Sequence, residues 1–130
     1  MTEKVAKLVE SANLETTYLH QANPLLIVTN EQNELVGCVG LERRGDFVHL
    51  QSLAVRADCR KKGIGSALVE NAFQYLNEGE TLVAMTLFWN NEFYKKLSFE
   101  KLNAKEVKSR DDVGSREKHI HCTAWGRKKE

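Results

Sequence analysis

A single proline and eight glycines in 130 residues are too few for a disordered linker. The three cysteines, Cys38, Cys59 and Cys122, are odd in number and nowhere spaced as Cys-x-x-Cys. That argues against a disulfide framework or a zinc ribbon and fits a reducing compartment. Long apolar runs are missing as well. The opening MTEKVAKLVESANLE carries charge every few residues, so neither a signal peptide nor a membrane span is expected, and a cytoplasmic location is. Nor is one sign of charge in excess: 19 Lys and Arg against 18 Asp and Glu leave +1, so no global field favours nucleic acid or an anionic membrane. Any anion site must be local. What remains is an ordinary globular composition, 42% hydrophobic and 28% charged. At this length roughly two-thirds of the unfolded surface can be buried, and one domain over residues 1–130 is expected.

Val5, Leu8 and Val9 follow helical spacing after Thr2, and Leu14 with Leu19 suggests a second short helical piece. PLLIVTN and LVGCVGLE flank the polar turn Glu31-Gln32-Asn33-Glu34 as an antiparallel hairpin. A second turn, Arg43 to Asp46, leads into FVHLQSLAV and completes a three-strand meander. In GIGSALVENAFQYL, Ile64, Leu68, Ala72, Phe73 and Leu76 recur at three and four residues, which predicts a helix from near Gly63. TLVAMTLFW reads as a strand buried on both faces, NNEFYKKLSF as a helix, and His119 to Trp125 as the final strand. This alternation predicts an α/β (α+β) mixed sheet with helices on both faces.

The chemistry concentrates at RKKGIGS, Arg60 to Ser66. A strand, a short basic loop and Gly-x-Gly opening an amphipathic helix place unpaired backbone N–H groups and a partial positive charge at one point. Phosphates bind there readily. Gly63 and Gly65 permit close backbone approach, and Arg60, Lys61 and Lys62 add charge. A dinucleotide fingerprint would need glycine at Leu68, and a Walker A loop Gly-Lys at Leu68 and Val69, so both fail. By itself the Gly-x-Gly is equally compatible with a tight turn on a solvated loop.

SLAVRADCRKKGIGSALVENAF resembles motif A of the GNAT superfamily of N-acetyltransferases, with Arg60, Gly63 and Gly65 at its signature positions. Downstream, FYKKLSFEKL resembles that superfamily's FYEKLGF block. LVESANLETTYL, ELVGCVGLE and HCTAWGRKK are similar to the branch holding N-acetylglutamate synthase domains and small acetyltransferases associated with arsenic resistance.

The resemblance implies the acyl-CoA N-acyltransferase fold, with a central, mostly antiparallel sheet that lacks the usual first strand. It implies acetyl-CoA as acetyl donor, with its pantetheine arm beside Leu53, Ala54 and Val55 and its pyrophosphate on the amides of Lys61, Lys62, Gly63, Ile64, Gly65 and Ser66. A backbone N–H of the same strand would polarise the thioester carbonyl. Tyr94 stands where a tyrosine often protonates the leaving thiolate, with packing beside Phe93 as the alternative. His49 falls where histone-acetylating relatives carry a catalytic glutamate; Glu42 or water could serve instead. Asn91 is the expected asparagine contact to the cofactor, although Asn90 and Asn91 lie closer to Tyr94 than in many relatives, and Ser98 replaces the usual glycine of the LGF turn. The implied reaction is direct acetyl transfer to a primary amine of a small metabolite or amino acid. A peptide amine, or an acyl-CoA sensor without catalysis, is the alternative. No metal is expected: His119, His121 and Cys122 read as strand residues, Cys59 as a loop cysteine, Trp89 and Trp125 as core or interface aromatics, and Arg127 to Lys129 as a solvated tail. Neither nucleic acid nor membrane is an expected partner; a homodimer is compatible with a missing edge strand.

Overall fold

Apolar residues at helical spacing open the chain as expected. Helix α1 (Thr2–Ser11) buries Val5, Leu8 and Val9 and leaves Glu3, Lys4 and Lys7 exposed. The computed structural model describes residues 2–11, 22–45, 47–87, 91–102 and 122–130. The helical piece expected around Leu14 and Leu19, together with Trp89, Asn90, His119 and His121, lies outside them.

Strands β1 (Leu25–Thr29) and β2 (Leu35–Arg43) form the expected antiparallel hairpin, with Leu25 opposite Gly40 and Val28 opposite Gly37. Asn30 closes its turn: the side-chain Oδ1 accepts from the backbone N–H of Gln32 at 3.0 Å and of Glu34 at 2.9 Å. Such local closure is why asparagine favours turns. Strand β3 (Phe47–Val55) completes the meander. A single 3-10 turn (Ala57–Cys59), α2 (Ile64–Gln74), β4 (Thr81–Leu87), α3 (Asn91–Lys96), β5 (Glu100–Lys101) and β6 (Cys122–Lys128) follow. The six strands form one sheet ordered β1-β2-β3-β4-β6-β5, the mixed architecture that the alternating pattern predicts. The chain divides into two compact units, residues 1–42 with 50–75 and residues 43–49 with 76–130, so β3 contributes to both.

In the first unit, Val5, Leu8 and Val9 of α1 pack with Cys38 and Ala54. A Cβ on Gly37 would lie 3.1 Å from both Ile64 and Leu68 of α2. Neighbouring strand residues face opposite sides, so α1 and α2 cover opposite faces of β2. Glycine at 37 lets the start of α2 settle onto the strand. Burying each of Val5, Leu8 and Val9 contributes about 1.5–3 kcal/mol as an upper estimate.

In the second unit, Leu82, Val83 and Ala84 are consecutive and all fully buried, which requires cover on both faces of β4, as its unbroken apolar sequence implies. β4 pairs with β6 from Thr81 opposite Lys128 to Leu87 opposite Cys122. The final strand therefore runs three residues beyond the expected Trp125 end, and its basic end is not a solvated tail. The Arg127 guanidinium donates to the Leu97 carbonyl at 3.2 Å, and Lys129 Nζ donates to the Leu76 carbonyl at 2.8 Å. The Lys129 backbone N–H also donates to the Glu80 carbonyl at 2.9 Å. Charge alone marks these residues as surface, but their long stems reach carbonyls that would otherwise be left at loop ends.

Glu80 organises this loop. Its carboxylate accepts from the Asn77 backbone N–H at 2.6 Å and from the Arg43 guanidinium at 3.3 Å through each oxygen. The Asn77 amide first, and Arg43 next among the favourable contacts, hold the carboxyl below its usual range against the opposing effect of burial. A folded-state pKa below the unfolded value means that this contribution is complete above about pH 4.5 and is lost as pH falls through the lowered folded value. Glu80→Gln is expected to cost about 1 kcal/mol at neutral pH, allowing for solvent screening, and to flatten the acid limb of stability against pH. Urea denaturation between pH 3 and pH 7 (on the order of the range over which carboxylates titrate) checks this. An unchanged pH slope would remove Glu80 from the acid response.

Candidate functional site

Strand β3 changes character at Ser52. Residues Phe47 to Gln51 are all buried, whereas Ser52, Leu53 and Val55 are only half-buried. Ser52 has φ +57°, a left-handed conformation that a non-glycine residue seldom adopts inside a strand. Contacts with β2 show the cause. Val36 accepts a hydrogen bond from the Arg56 N–H at 2.8 Å, Cys38 packs with Ala54, and a Cβ on Gly40 would lie 3.3 Å from the Gln51 side chain. From Cys38 to Gly40 β2 advances two residues while β3 advances three, from Ala54 to Gln51. The additional residue is a β-bulge spanning Ser52 and Leu53, the kind of irregularity that re-aims a strand beside functional sites. Sequence reasoning missed it, although the adjacent polar pair Gln51-Ser52 breaks the apolar alternation there. Of the residues expected beside the pantetheine arm, Leu53 lies in the bulge, and Ala54 and Val55 lie immediately past it.

The basic turn follows within the same unit. Arg56 pairs with Asp58 at 2.6 Å and approaches Glu34 at 3.9 Å. Hydrogen bonding from the Arg56 guanidinium holds the Asp58 carboxyl below its ordinary range. Arg60 turns back: its Nε donates to the Val55 carbonyl at 3.0 Å, so part of its guanidinium anchors the strand end. Lys61 and Lys62 are exposed, and Lys61 has φ +65°. Gly63, the N-cap of α2, has φ +82° and supplies no side-chain cap, and a Cβ there would meet nothing within 4 Å. Packing therefore does not require glycine at this position; the left-handed backbone does. An uncapped helix start leaves the first-turn amides of Ile64, Gly65 and Ser66 without the side-chain acceptor that usually satisfies them. Left-handed residues stand on either side of Lys62, and the helix dipole adds partial positive charge. These residues fit a diphosphate.

The second unit holds Tyr94, His49 and Asn91. Tyr94, on α3, is 4% exposed and meets Phe93 and Phe99 edge-on, with ring centroids 5.0 and 5.2 Å away. Burial pushes its phenol well above the ordinary tyrosine value, so it stays protonated at neutral pH. Helix α3 ends with Ser98 at φ +66°, where the Ser98 N–H bonds the Lys95 carbonyl and the Phe99 N–H bonds the Tyr94 carbonyl, both at 3.1 Å. This is a Schellman ending, in which glycine is usual. Serine keeps the same bonds at the cost of left-handed strain, so the LGF turn survives the substitution. The Asn91 Oδ1 accepts from Trp125 Nε1 at 3.2 Å, so its carbonyl serves the core of its own unit. Trp125 is the core aromatic that its sequence context suggests, 3% exposed. His49 is buried on β3, 2% exposed. Glu42 lies half-buried near the end of β2, in the first unit. Leu53 to Ser66 are thus brought together in the first unit, while Tyr94, His49 and Asn91 belong to the second. No helix of the described residues is long and apolar enough to cross a membrane.

Residues 22–101 match the acetyltransferase (GNAT) domain family, more than half of the chain. The peptidyl-lysine N-acetyltransferase YjaB of Escherichia coli (strain K12) is 32% identical over 105 residues, covering 81% of this chain and 66% of that protein. Among solved structures, N-acetylglutamate synthase from Neisseria gonorrhoeae, complexed with coenzyme A and N-acetyl-glutamate, superposes with a TM-score of 0.79 at 17% identity, over 98% of this chain and 32% of that one. Rv2747 from Mycobacterium tuberculosis, in complex with CoA and NLQ, gives a TM-score of 0.74 at 15% identity, over 96% and 92% of the two chains. This chain thus spans just under two-thirds of the Escherichia coli relative and about a third of the gonococcal synthase. The structural likenesses carry the fold, and the motif A turn falls inside the matched residues: the chain belongs to the GNAT acetyltransferase family.

Proposed function

We propose that the protein transfers acetyl from acetyl-CoA to a primary amine by direct attack, with the diphosphate of coenzyme A held at the start of α2. The observation that carries this is the uncapped, basic turn from Lys61 to Gly63, left-handed at both ends and inside the matched family region. Acetyl-CoA supplies the activated thioester. Leu53, Ala54 and Val55 align its arm at the bulge and just past it, and a backbone N–H there polarises the carbonyl that the amine attacks. The amine nitrogen bonds to the acetyl carbon as the carbon–sulfur bond breaks, and the amine proton leaves through His49, Glu42 or water. Tyr94 donates a hydrogen bond to the departing sulfur. Because burial raises its phenol while a thiol ordinarily titrates near ~8.5, Tyr94 acts by stabilising the thiolate more than by surrendering its proton.

A small amino acid or related metabolite is the acceptor favoured by the branch resemblance. The 32% identity to a peptidyl-lysine acetyltransferase favours a second reading, the side-chain amine of a lysine in a peptide. A thiol-release assay with acetyl-CoA against amino acids, small amines and lysine peptides, beside calorimetry of coenzyme A binding, tests both. Release with free amino acids alone supports the first acceptor and release with peptides alone the second. Binding without release would instead make the protein an acyl-CoA sensor, and failure to bind would sink every version. With the accepted amine, Tyr94→Phe is expected to lower turnover at saturation about tenfold, the loss of one hydrogen bond to a charge that develops in the transition state. Undiminished turnover removes Tyr94 from the mechanism.

A further inference from the structure

Trp125 lies midway along β6, opposite Ala84 of β4 and Lys101 of β5, and is 3% exposed. Pairing with a strand on each side fixes its backbone, and burial holds the ring in place. Its Nε1 donates to Asn91 Oδ1 at 3.2 Å, across 34 residues of chain. The chemistry of this pair settles which way the carboxamide points. An indole nitrogen donates and never accepts, whereas a carboxamide is an acceptor at one end and a double donor at the other. Oδ1 therefore faces Trp125 and Nδ2 faces away from it. Among the described residues Nδ2 has no hydrogen-bond partner of its own, and Asn91 is only half-buried. Tyr94 stands three residues further along α3, the spacing that sets side chains on one helix face with Cβ atoms about 5–6 Å apart.

We propose that Trp125 is a positioning residue for coenzyme A: by holding Asn91 Oδ1 it presents the Asn91 NH2 as a fixed donor to a carbonyl of the pantetheine arm. The inference rests on the reading above, in which this chain holds coenzyme A and Tyr94 meets its sulfur. Two methylenes and an amide nitrogen separate that sulfur from the first carbonyl of the arm, and a side chain one helical turn from Tyr94 is placed to meet it. An asparagine that nothing held would offer its oxygen as readily as its nitrogen, and an oxygen facing a carbonyl repels it. Orienting the amide beforehand removes that alternative, together with the entropy of freezing the side chain when the cofactor binds. The contact is made to a part of the cofactor that the reaction leaves unchanged, so it acts on binding of the donor and not on the chemical step.

Variants of the full chain test this by calorimetry, with coenzyme A as ligand and ADP, which carries the diphosphate without the arm, as control. Trp125→Phe keeps most of the ring volume and removes the donor; it is expected to weaken coenzyme A about fivefold, the worth of one neutral hydrogen bond, and to leave ADP unchanged. Asn91→Ala should do the same, and the double variant should bind within about twofold of Asn91→Ala alone, because Trp125 acts only through Asn91. Asn91→Asp keeps an oxygen for the indole and replaces the outward donor with an acceptor, so Tm should stay parent-like while coenzyme A weakens about tenfold. In thiol release, Trp125→Phe is expected to raise KM for acetyl-CoA about fivefold with kcat within about twofold. Additive losses in the double variant would make the role of Trp125 structural and overturn the proposal, as would parent-like affinity in Trp125→Phe or equal losses for ADP and coenzyme A. Should Trp125→Phe fail to fold, parent-like affinity in Asn91→Asp overturns it instead. Failure of the parent to bind coenzyme A would sink the proposal and the acetyl-transfer reading together. Binding without thiol release from any amine overturns the acetyl-transfer reading alone, since the comparison of single and double variants reads binding.

Discussion

Gly63→Asp is expected to weaken coenzyme A binding about 100-fold, while the fold is retained. Two effects act on the backbone and nearly cancel: the left-handed conformation costs a non-glycine residue about 1–2 kcal/mol, less for aspartate than for most, and a carboxylate in the first turn of a helix is favourable by about 0.3–1 kcal/mol. The space at Gly63 is open, so no clash with the protein arises. Binding is different, because the new carboxylate occupies the field meant for the diphosphate. At about 6 Å and an effective dielectric of 20, each like-charge pair costs on the order of 3 kcal/mol before salt screening. A net loss of about 2–3 kcal/mol is about two decades in affinity. Calorimetry at two salt concentrations checks it, the deficit shrinking as salt rises. Gly63→Ala controls for the backbone, lowering Tm with only a severalfold loss of affinity. Parent-like binding by Gly63→Asp would move the phosphate away from this turn.

Trp125→Ala is expected to destabilise the protein by about 3–5 kcal/mol, the range for emptying a buried indole site. Trp125 stands opposite Ala84 on β4 and Lys101 on β5, in the middle of the strand that joins them. Its indole N–H also engages the Asn91 Oδ1, which truncation would leave without that donor. Against a total stability of about 5–15 kcal/mol for a domain, such a loss brings the chain near its unfolding threshold at physiological temperature. Trp125→Phe retains most of the volume and should cost about 1–2 kcal/mol, chiefly the hydrogen bond. Urea denaturation of both variants measures this. A loss below about 1 kcal/mol for Trp125→Ala would mean that neighbouring side chains collapse into the space, the condition under which truncation becomes cheap.

The basic turn that opens α2 was legible because its information is local. Strand, basic loop, glycines and amphipathic helix occupy consecutive positions, and the orphaned amides of a helix start follow from backbone chemistry alone. The hairpin around Asn30 and the doubly buried β4 were readable for the same reason, since side-chain period and turn chemistry act over a few residues. The end of β6 was misread because charge was taken as a sign of exposure. Whether Lys129 reaches solvent or the Leu76 carbonyl depends on a chain segment more than fifty residues away.

The sequence by itself determined the order and type of the elements among the described residues, the uncapped glycine start of α2 and the family, all of which rest on short-range pattern. Only the tertiary structure decided how that turn and its strand are held. It revealed the bulge at Ser52, the buried thiol of Cys38 beside it, the burial that holds the proton on Tyr94, and the use of Asn91 by Trp125. Each depends on which residue of a distant strand or helix lies opposite, and that register is a property of the packed sheet that no stretch of sequence carries alone.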